Sequence, residues 1–278
     1  MRNIIYMAIL LCLPVISLQA QEQSSEKAQT DSTQIEASVP ADKSAFDQNV
    51  TKALADSAYA KQDYISAIGL YEQLLAQQGE SADIYYNLGN SYYKHKDIAH
   101  AVLNYERAHL LNPGDSDIRF NLEMARNNTI DKVDAVNTFF LTSWFTSLRN
   151  CLGTDGWARV GVITFILALI CLGIYIFGKN LVWRKVGFIG TAVCIVIIIA
   201  ANVCAFQQKD LLVNRQSAII MSPSVTAKST PDTGGTDLFI LHEGHKVLIK
   251  DSTMKEWCEI QLEDGSIGWI PREVMEII

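Results

Sequence analysis

The sequence predicts a multidomain chain: an all-α helical-repeat superhelix, two transmembrane helices, and a C-terminal all-β small barrel, in that order. Three observations predict it. Residues recur in register 34 positions apart between 46 and 130. Two apolar runs, 160–177 and 186–206, are each long enough to cross a bilayer as a helix. Residues 211–278 fall into short β-type runs separated by turn residues.

With 278 residues and 49% apolar composition, the chain can hold two small domains besides its membrane segments. Lys and Arg total 23 against 30 Asp and Glu, a net charge of -7. Nucleic acid is excluded as a partner class, because a phosphate backbone rewards cation clusters and none occurs. The six cysteines are scattered, with Cys12, Cys171 and Cys194 inside apolar runs and no C-x-x-C. Pairing among Cys151, Cys204 and Cys258 stays open.

The chain opens Met1-Arg2-Asn3, followed by apolar Ile4 to Leu13 and a small residue, Ala20, before Gln21. That pattern predicts a signal peptide over 1–20, with an uncleaved anchor as the competing reading. Residues 21–45 are rich in Gln, Ser, Thr, Glu, Asp and Ala, and are expected to be a disordered linker.

Residues 46–130 hold the repeat. Leu54, Leu88 and Leu122 are in register, as are Asp63 with Asp97, Ala67 with Ala101, Tyr71 with Tyr105 and Glu72 with Glu106. Leu88, Gly89 and Tyr92 share one face of a first helix, Asp97 is placed to cap a second, and Asn112-Pro113-Gly114 stops it. This resembles the tetratricopeptide repeat, with Tyr85, Leu88, Gly89, Tyr92, Ala101, Tyr105, Ala108 and Pro113 at signature positions. The first unit departs from the pattern, with Ala55 and Ala58 in place of the glycine and aromatic. The third supplies a single helix, Asp117 to Asn128, suited to an end cap. The resemblance implies a concave groove that receives an extended peptide or a helix. Its candidate residues are Tyr86, Asn87, Asn90, Tyr93 and Lys94 in the second unit, and Phe120 and Asn121 in the third.

Residues 139–152 are aromatic and amphipathic, and are expected to lie in the membrane interface. Neither apolar run beyond them contains an ionisable residue. The loop between them, 178–185, carries Lys179, Arg184 and Lys185 without an acid, which places it in the cytoplasm. Signal peptide and hairpin together predict a multi-pass protein of the bacterial cytoplasmic (inner) membrane, with both soluble portions on the periplasmic side.

In residues 211–278 the expected strands are Gln216 to Met221, Lys246 to Lys250, Trp257 to Leu262, Ile267 to Ile270 and Met275 to Ile278, with a long polar loop from Ser222 to Thr236. Leu241-His242-Glu243-Gly244 and Gly268-Trp269-Ile270-Pro271 resemble the bacterial SH3-like domain. That resemblance implies binding of peptides or peptidoglycan stems, with Trp257 and Trp269 as a candidate aromatic face. His242 and His245 lack two further ligands for zinc and read as surface histidines.

The order of these parts resembles the BatE-like Bat aerotolerance proteins. It implies a non-catalytic adaptor or scaffold in an envelope complex linked to aerotolerance or stress. Implied partners are other membrane-bound Bat-type proteins with von Willebrand-type domains and, indirectly, a MoxR-type ATPase. No catalytic, metal or cofactor site is expected, because no segment remains to form a cleft domain around one. The alternative reading is a protein that binds or senses peptidoglycan, or an accessory subunit of a wall hydrolase.

Overall fold

Three helices of the repeat begin on an aspartate whose carboxylate satisfies free amides of the first turn. In the computed structural model, which describes residues 50–132 and 140–278, the repeat comprises α1 (Lys52–Ala60), α2 (Tyr64–Gln78), α3 (Ala82–His95), α4 (Ile98–Leu111) and α5 (Ser116–Arg126). Asp63 Oδ1 accepts from the Ser66 amide at 3.2 Å, and Asp97 Oδ1 from that of His100 at 3.1 Å. Asp115 Oδ1 accepts from the amides of Asp117 and Ile118 at 2.8 and 3.2 Å. The expected signal peptide (1–20) and linker (21–45) lie outside the described residues.

Inside the repeat, small residues face large ones. Ala55 and Ala67 are buried with Tyr71 and Leu74, Ala101 and Ala125 with Tyr105, and Ala108 with Tyr85. Gly89 lets α3 approach α4, since a Cβ there would lie 2.8 Å from Cδ1 of the Tyr105 ring. Tyr105 has no room to retreat because it is fully buried. A Gly89→Val variant should therefore lose about 1–3 kcal/mol of stability through overpacking. Thermal unfolding would read this directly, and an unchanged midpoint would show that the helices can separate at no cost.

Next come α6 (Phe140–Arg149), α7 (Thr154–Phe177) and α8 (Leu181–Val213). Both α7 and α8 are long and apolar enough to cross a membrane. They pack along a seam of small residues that includes Thr164, Ala168, Cys194 and Ala201. At Gly187 an added Cβ would lie 2.6 Å from the Tyr175 amide nitrogen and 2.7 Å from the Cys171 carbonyl. Large side chains such as Ile166, Phe188 and Val196 point outward.

The helices extend beyond the uncharged runs. The expected loop 178–185 shrinks to Gly178–Asn180, and Trp183, Arg184 and Lys185 sit in the first turns of α8. Lack of charge marks only what suits hydrocarbon, whereas Arg and Lys are good helix formers that continue the hydrogen-bond ladder. At the other end, the Trp157 indole donates to the Arg149 carbonyl at 2.9 Å and ties α7 to α6.

The C-terminal part is one antiparallel sheet. Its strands are β1 (Ser217–Ile220), β2 (Ser224–Lys228), β3 (Asp237–His242), β4 (Lys246–Asp251), β5 (Trp257–Gln261), β6 (Ile267–Pro271) and β7 (Met275–Ile277). The order is β3-β2-β6-β5-β4-β1-β7. The outer strands β3 and β7 do not pair, so the expected closed barrel is not formed. The repeat covers the β7 edge instead. Arg107 of α4 donates to the Ile277 carbonyl at 2.7 Å and to Glu276 at 2.9 Å, capping an edge that would otherwise seek another strand.

The polar stretch Ser222 to Thr236, expected as a loop, contains β2. Val225 and Ala227 point inward, while Ser224, Thr226 and Lys228 alternate with them. Two small apolar residues among polar ones are too weak a period-2 signal to mark a strand. Pairing with β3 supplies the rest, from Ser224↔His242 to Ala227↔Phe239.

Repeat and sheet are fused. Ala101, Val102, Leu103 and Tyr105 of α4, with Leu122 and Ala125 of α5, share one buried cluster with Ile219 of β1 and the terminal Ile278. The sequence suggests two separate modules, but their contact is a hydrophobic core.

Candidate functional site

The sheet lies against the face of α4 that carries Val102, Leu103 and Glu106, which leaves the side of the repeat built by α3 and α5 open. On that open side Tyr86 and Asn90 stand one turn apart on α3, and Asn121 reaches them from α5. Asn121 Nδ2 donates to the Tyr86 hydroxyl at 2.9 Å and to Asn90 Oδ1 at 3.0 Å. The buried Tyr105 hydroxyl also donates to Asn90 Oδ1, at 2.7 Å. Burial pushes the Tyr105 phenol upward, so it stays a donor at any physiological pH. The Tyr86 ring tilts over that of Tyr105, with centroids 6.1 Å apart.

The other candidates surround this network. Tyr93 is half-buried and its hydroxyl accepts from Asn128 Nδ2 at 3.1 Å. Lys94 is exposed, and Phe120 is 67% exposed beside a depression of about 390 Å³ that it lines with Met124 and Asn128. Asn87 is half-buried, and its carbonyl accepts from the Ser91 hydroxyl at 2.9 Å. Among the described residues nothing donates to Asn121 Oδ1, which can accept from an incoming backbone amide. Asn90 differs: its carbonyl oxygen serves two donors inside the fold.

The seam with the sheet has a buried charge cluster that the sequence does not reveal. Glu106, 3% exposed, accepts from Lys246 of β4 at 2.8 Å and from Arg126 of α5. Burial opposes its ionisation, but the Lys246 and Arg126 charges prevail and hold the carboxyl at about 2. Nearby, Asp131 accepts from the His242 amide and from His242 Nδ1, each at 2.8 Å, and lies 3.6 Å from His245 Nδ1. The two histidines are therefore seam residues, and His245 is buried. The shared partner lies 111 residues before His242 and further still from His245, so the local pattern gave no sign of it. Glu80 receives the Arg215 guanidinium at a further contact, with Nη1 at 2.7 Å.

Trp257 and Trp269 lie on one face of the sheet. Trp257 pairs with Pro271 and Trp269 with Glu259, in the register that sends Cys258, Ile260 and Ile270 into the core. Both indoles are half-buried on the side away from that core, and Lys228 of β2 stands opposite Trp269.

No curated protein matches the chain. Tetratricopeptide repeats are typically scaffolds for protein interaction rather than catalysts, and residues 82–115, which form α3, α4 and the turn after them, match the model of that repeat.

Proposed function

We propose that this chain is a non-catalytic, membrane-anchored adaptor whose open α3–α5 face takes a peptide or helix from a partner. The reading rests on one observation. The sheet packs on the α4 side of the repeat through Ile219 and Ile278, while Tyr86, Asn90 and Asn121 stay half-exposed on α3 and α5. The anchor is the α7–α8 hairpin, whose outward side chains are apolar. Lys179, Arg184 and Lys185 at its tip favour a cytoplasmic bend and a periplasmic soluble half. The sheet is assigned as SH3-like from Gly268-Trp269-Ile270-Pro271, with Trp257 and Trp269 as its binding face. In line with the resemblance to Bat aerotolerance proteins, the partner is a membrane-bound protein with a von Willebrand-type domain, and a MoxR-type ATPase acts on the assembly indirectly.

The test follows from the hydrogen bonds. Asn90 is a poor target because Tyr105 depends on it, so Asn87→Ala combined with Asn121→Ala is the cleaner variant. Partner recovery in mild detergent should fall about tenfold, as expected for the loss of one or two hydrogen bonds. Asn121→Ala also removes its bonds to Tyr86 and Asn90, so the unfolding midpoint should fall modestly, while Asn87→Ala alone should leave it near that of the parent. Full recovery of the partner would remove the groove assignment.

A further inference from the structure

We propose that a cavity at the membrane-proximal end of the repeat binds the phosphoethanolamine headgroup of a phospholipid. This rests on the membrane reading above. The cavity, about 340 Å³, lies between α4, the end of α6, the outer end of α8 and β1. Its volume falls within the range of small-molecule sites, roughly 300–1,000 Å³.

Two polar groups in its wall have no partner. Gln208 on α8 is 2% exposed, and its Oε1 accepts nothing among the described residues. His109 Nδ1 on α4 is likewise buried and unpaired. A buried acceptor left orphaned is costly, and an incoming donor would recover that cost. Arg149 ends α6, spends its Nε on Asn150 Oδ1 at 3.2 Å, and has no partner for its two terminal nitrogens among the described residues.

The remaining charges decide the ligand. Lys246 is taken by Glu106 and Arg215 by Glu80. Arg149 and Asp210, whose carboxylate among the described residues is bonded only to Asn214 Nδ2, are left as one cation and one anion. Burial pushes His109 downward, so it is neutral and can donate or accept. A zwitterion fits this set. Its phosphodiester accepts from Arg149, whose planar fork suits phosphate, and its ammonium donates to Asp210 and Gln208 Oε1. Leu110 and Leu211 line the rest of the wall, where the glycerol would lie. Gln208 comes just after the apolar run that ends at Phe206, so the cavity opens at headgroup depth. A choline headgroup has no N–H for Gln208, and a glycerol headgroup has no cation for Asp210.

The experiment uses the full chain in nanodiscs containing equal parts of phosphatidylethanolamine, phosphatidylcholine and phosphatidylglycerol. The lipid that survives detergent extraction is counted by native mass spectrometry. One phosphatidylethanolamine per chain should be retained, at least about tenfold over the other two, as expected when hydrogen bonds to charged groups are made by one headgroup alone. Arg149→Ala and Gln208→Leu should each abolish most of that preference. Soluble glycerophosphoethanolamine should compete poorly, whereas competition at equal strength would make the site one for free headgroup and overturn the lipid assignment. Equal retention of the three lipids by the parent chain would overturn the proposal without reference to any variant. Carbonate extraction separates the two levels of failure. A chain stripped from membranes ends the anchor reading and this one together, while a chain that stays in the membrane without a lipid preference ends this one alone.

Discussion

Replacing Glu106 by leucine should lower stability by about 3 kcal/mol, the largest effect expected of any single side chain at the seam. The carboxyl is held at about 2 in the fold, and a depression of that size is worth about 3 kcal/mol at neutral pH. With 3% exposure of its side chain, little solvent screening reduces it. Leucine fills the space but leaves Lys246 and Arg126, both partly exposed, to turn toward water. Urea unfolding in detergent, followed through the Trp257 and Trp269 fluorescence, should show the sheet released earlier than in the parent. Arg126→Ala should cost only about 1 kcal/mol, because Lys246 keeps the carboxylate paired. Equal losses for the two variants would mean that Glu106 is not the centre of the cluster.

The second large effect is acid lability of the same seam, in two stages. His245 is buried and His109 half-buried, and desolvation pushes both downward. His245 faces Asp131, Glu263, Asp264 and Arg126, and His109 faces Glu106, Lys246, Arg126 and Arg119, but burial outweighs the acids in each case. The unfolded chain therefore takes up protons first, and stability falls as pH drops below about 6.5. Asp131 and Glu106 are instead depressed in the fold, Asp131 by its bonds to His242 against the pull of burial. Both contributions are complete above the usual carboxylate range and are lost as pH falls below it, that of Glu106 as pH approaches about 2. Protease sensitivity of the chain should be flat above neutrality, rise modestly near pH 6 and rise steeply below pH 4, the ordinary carboxylate range. A His245→Phe variant should lose part of the first stage and keep the second. An unchanged profile in that variant would show that His245 does not report on the seam.

How far the sequence revealed this molecule depends on how far apart the contacting residues lie. The 34-residue spacing exposed the helix pairs because Gly89 and Tyr105, or Asp97 and His100, meet within one unit. The spacing also places Asn87 and Asn121 at equivalent positions of consecutive first helices, whereas the bonds of Asn121 to Tyr86 and Asn90, which cross from one unit to the next, came from the structure. The seam was not legible. Glu72 and Glu106 occupy the same register position, yet Glu72 is exposed and accepts from Tyr92, whereas Glu106 is buried by a strand 140 residues further on. A repeat makes such positions look alike, and only the partner distinguishes them. The missing barrel closure has the same origin, because nothing in β7 announces that Arg107 and α4 will take its edge.

The unbroken course of α8 has a mechanical consequence. At about 1.5 Å per residue its 33 residues form a rod of roughly 50 Å, longer than the hydrocarbon it is proposed to cross. Only Asn214 to Gln216 separate its end from β1, and Arg215 within that link is clamped to Glu80 in the turn between α2 and α3. In the proposed anchor so short a link leaves little room to swivel. A partner docked on the repeat would be presented at one height and one bearing, and a tilt of the rod would be passed on to it, as through a mast fixed to its deck.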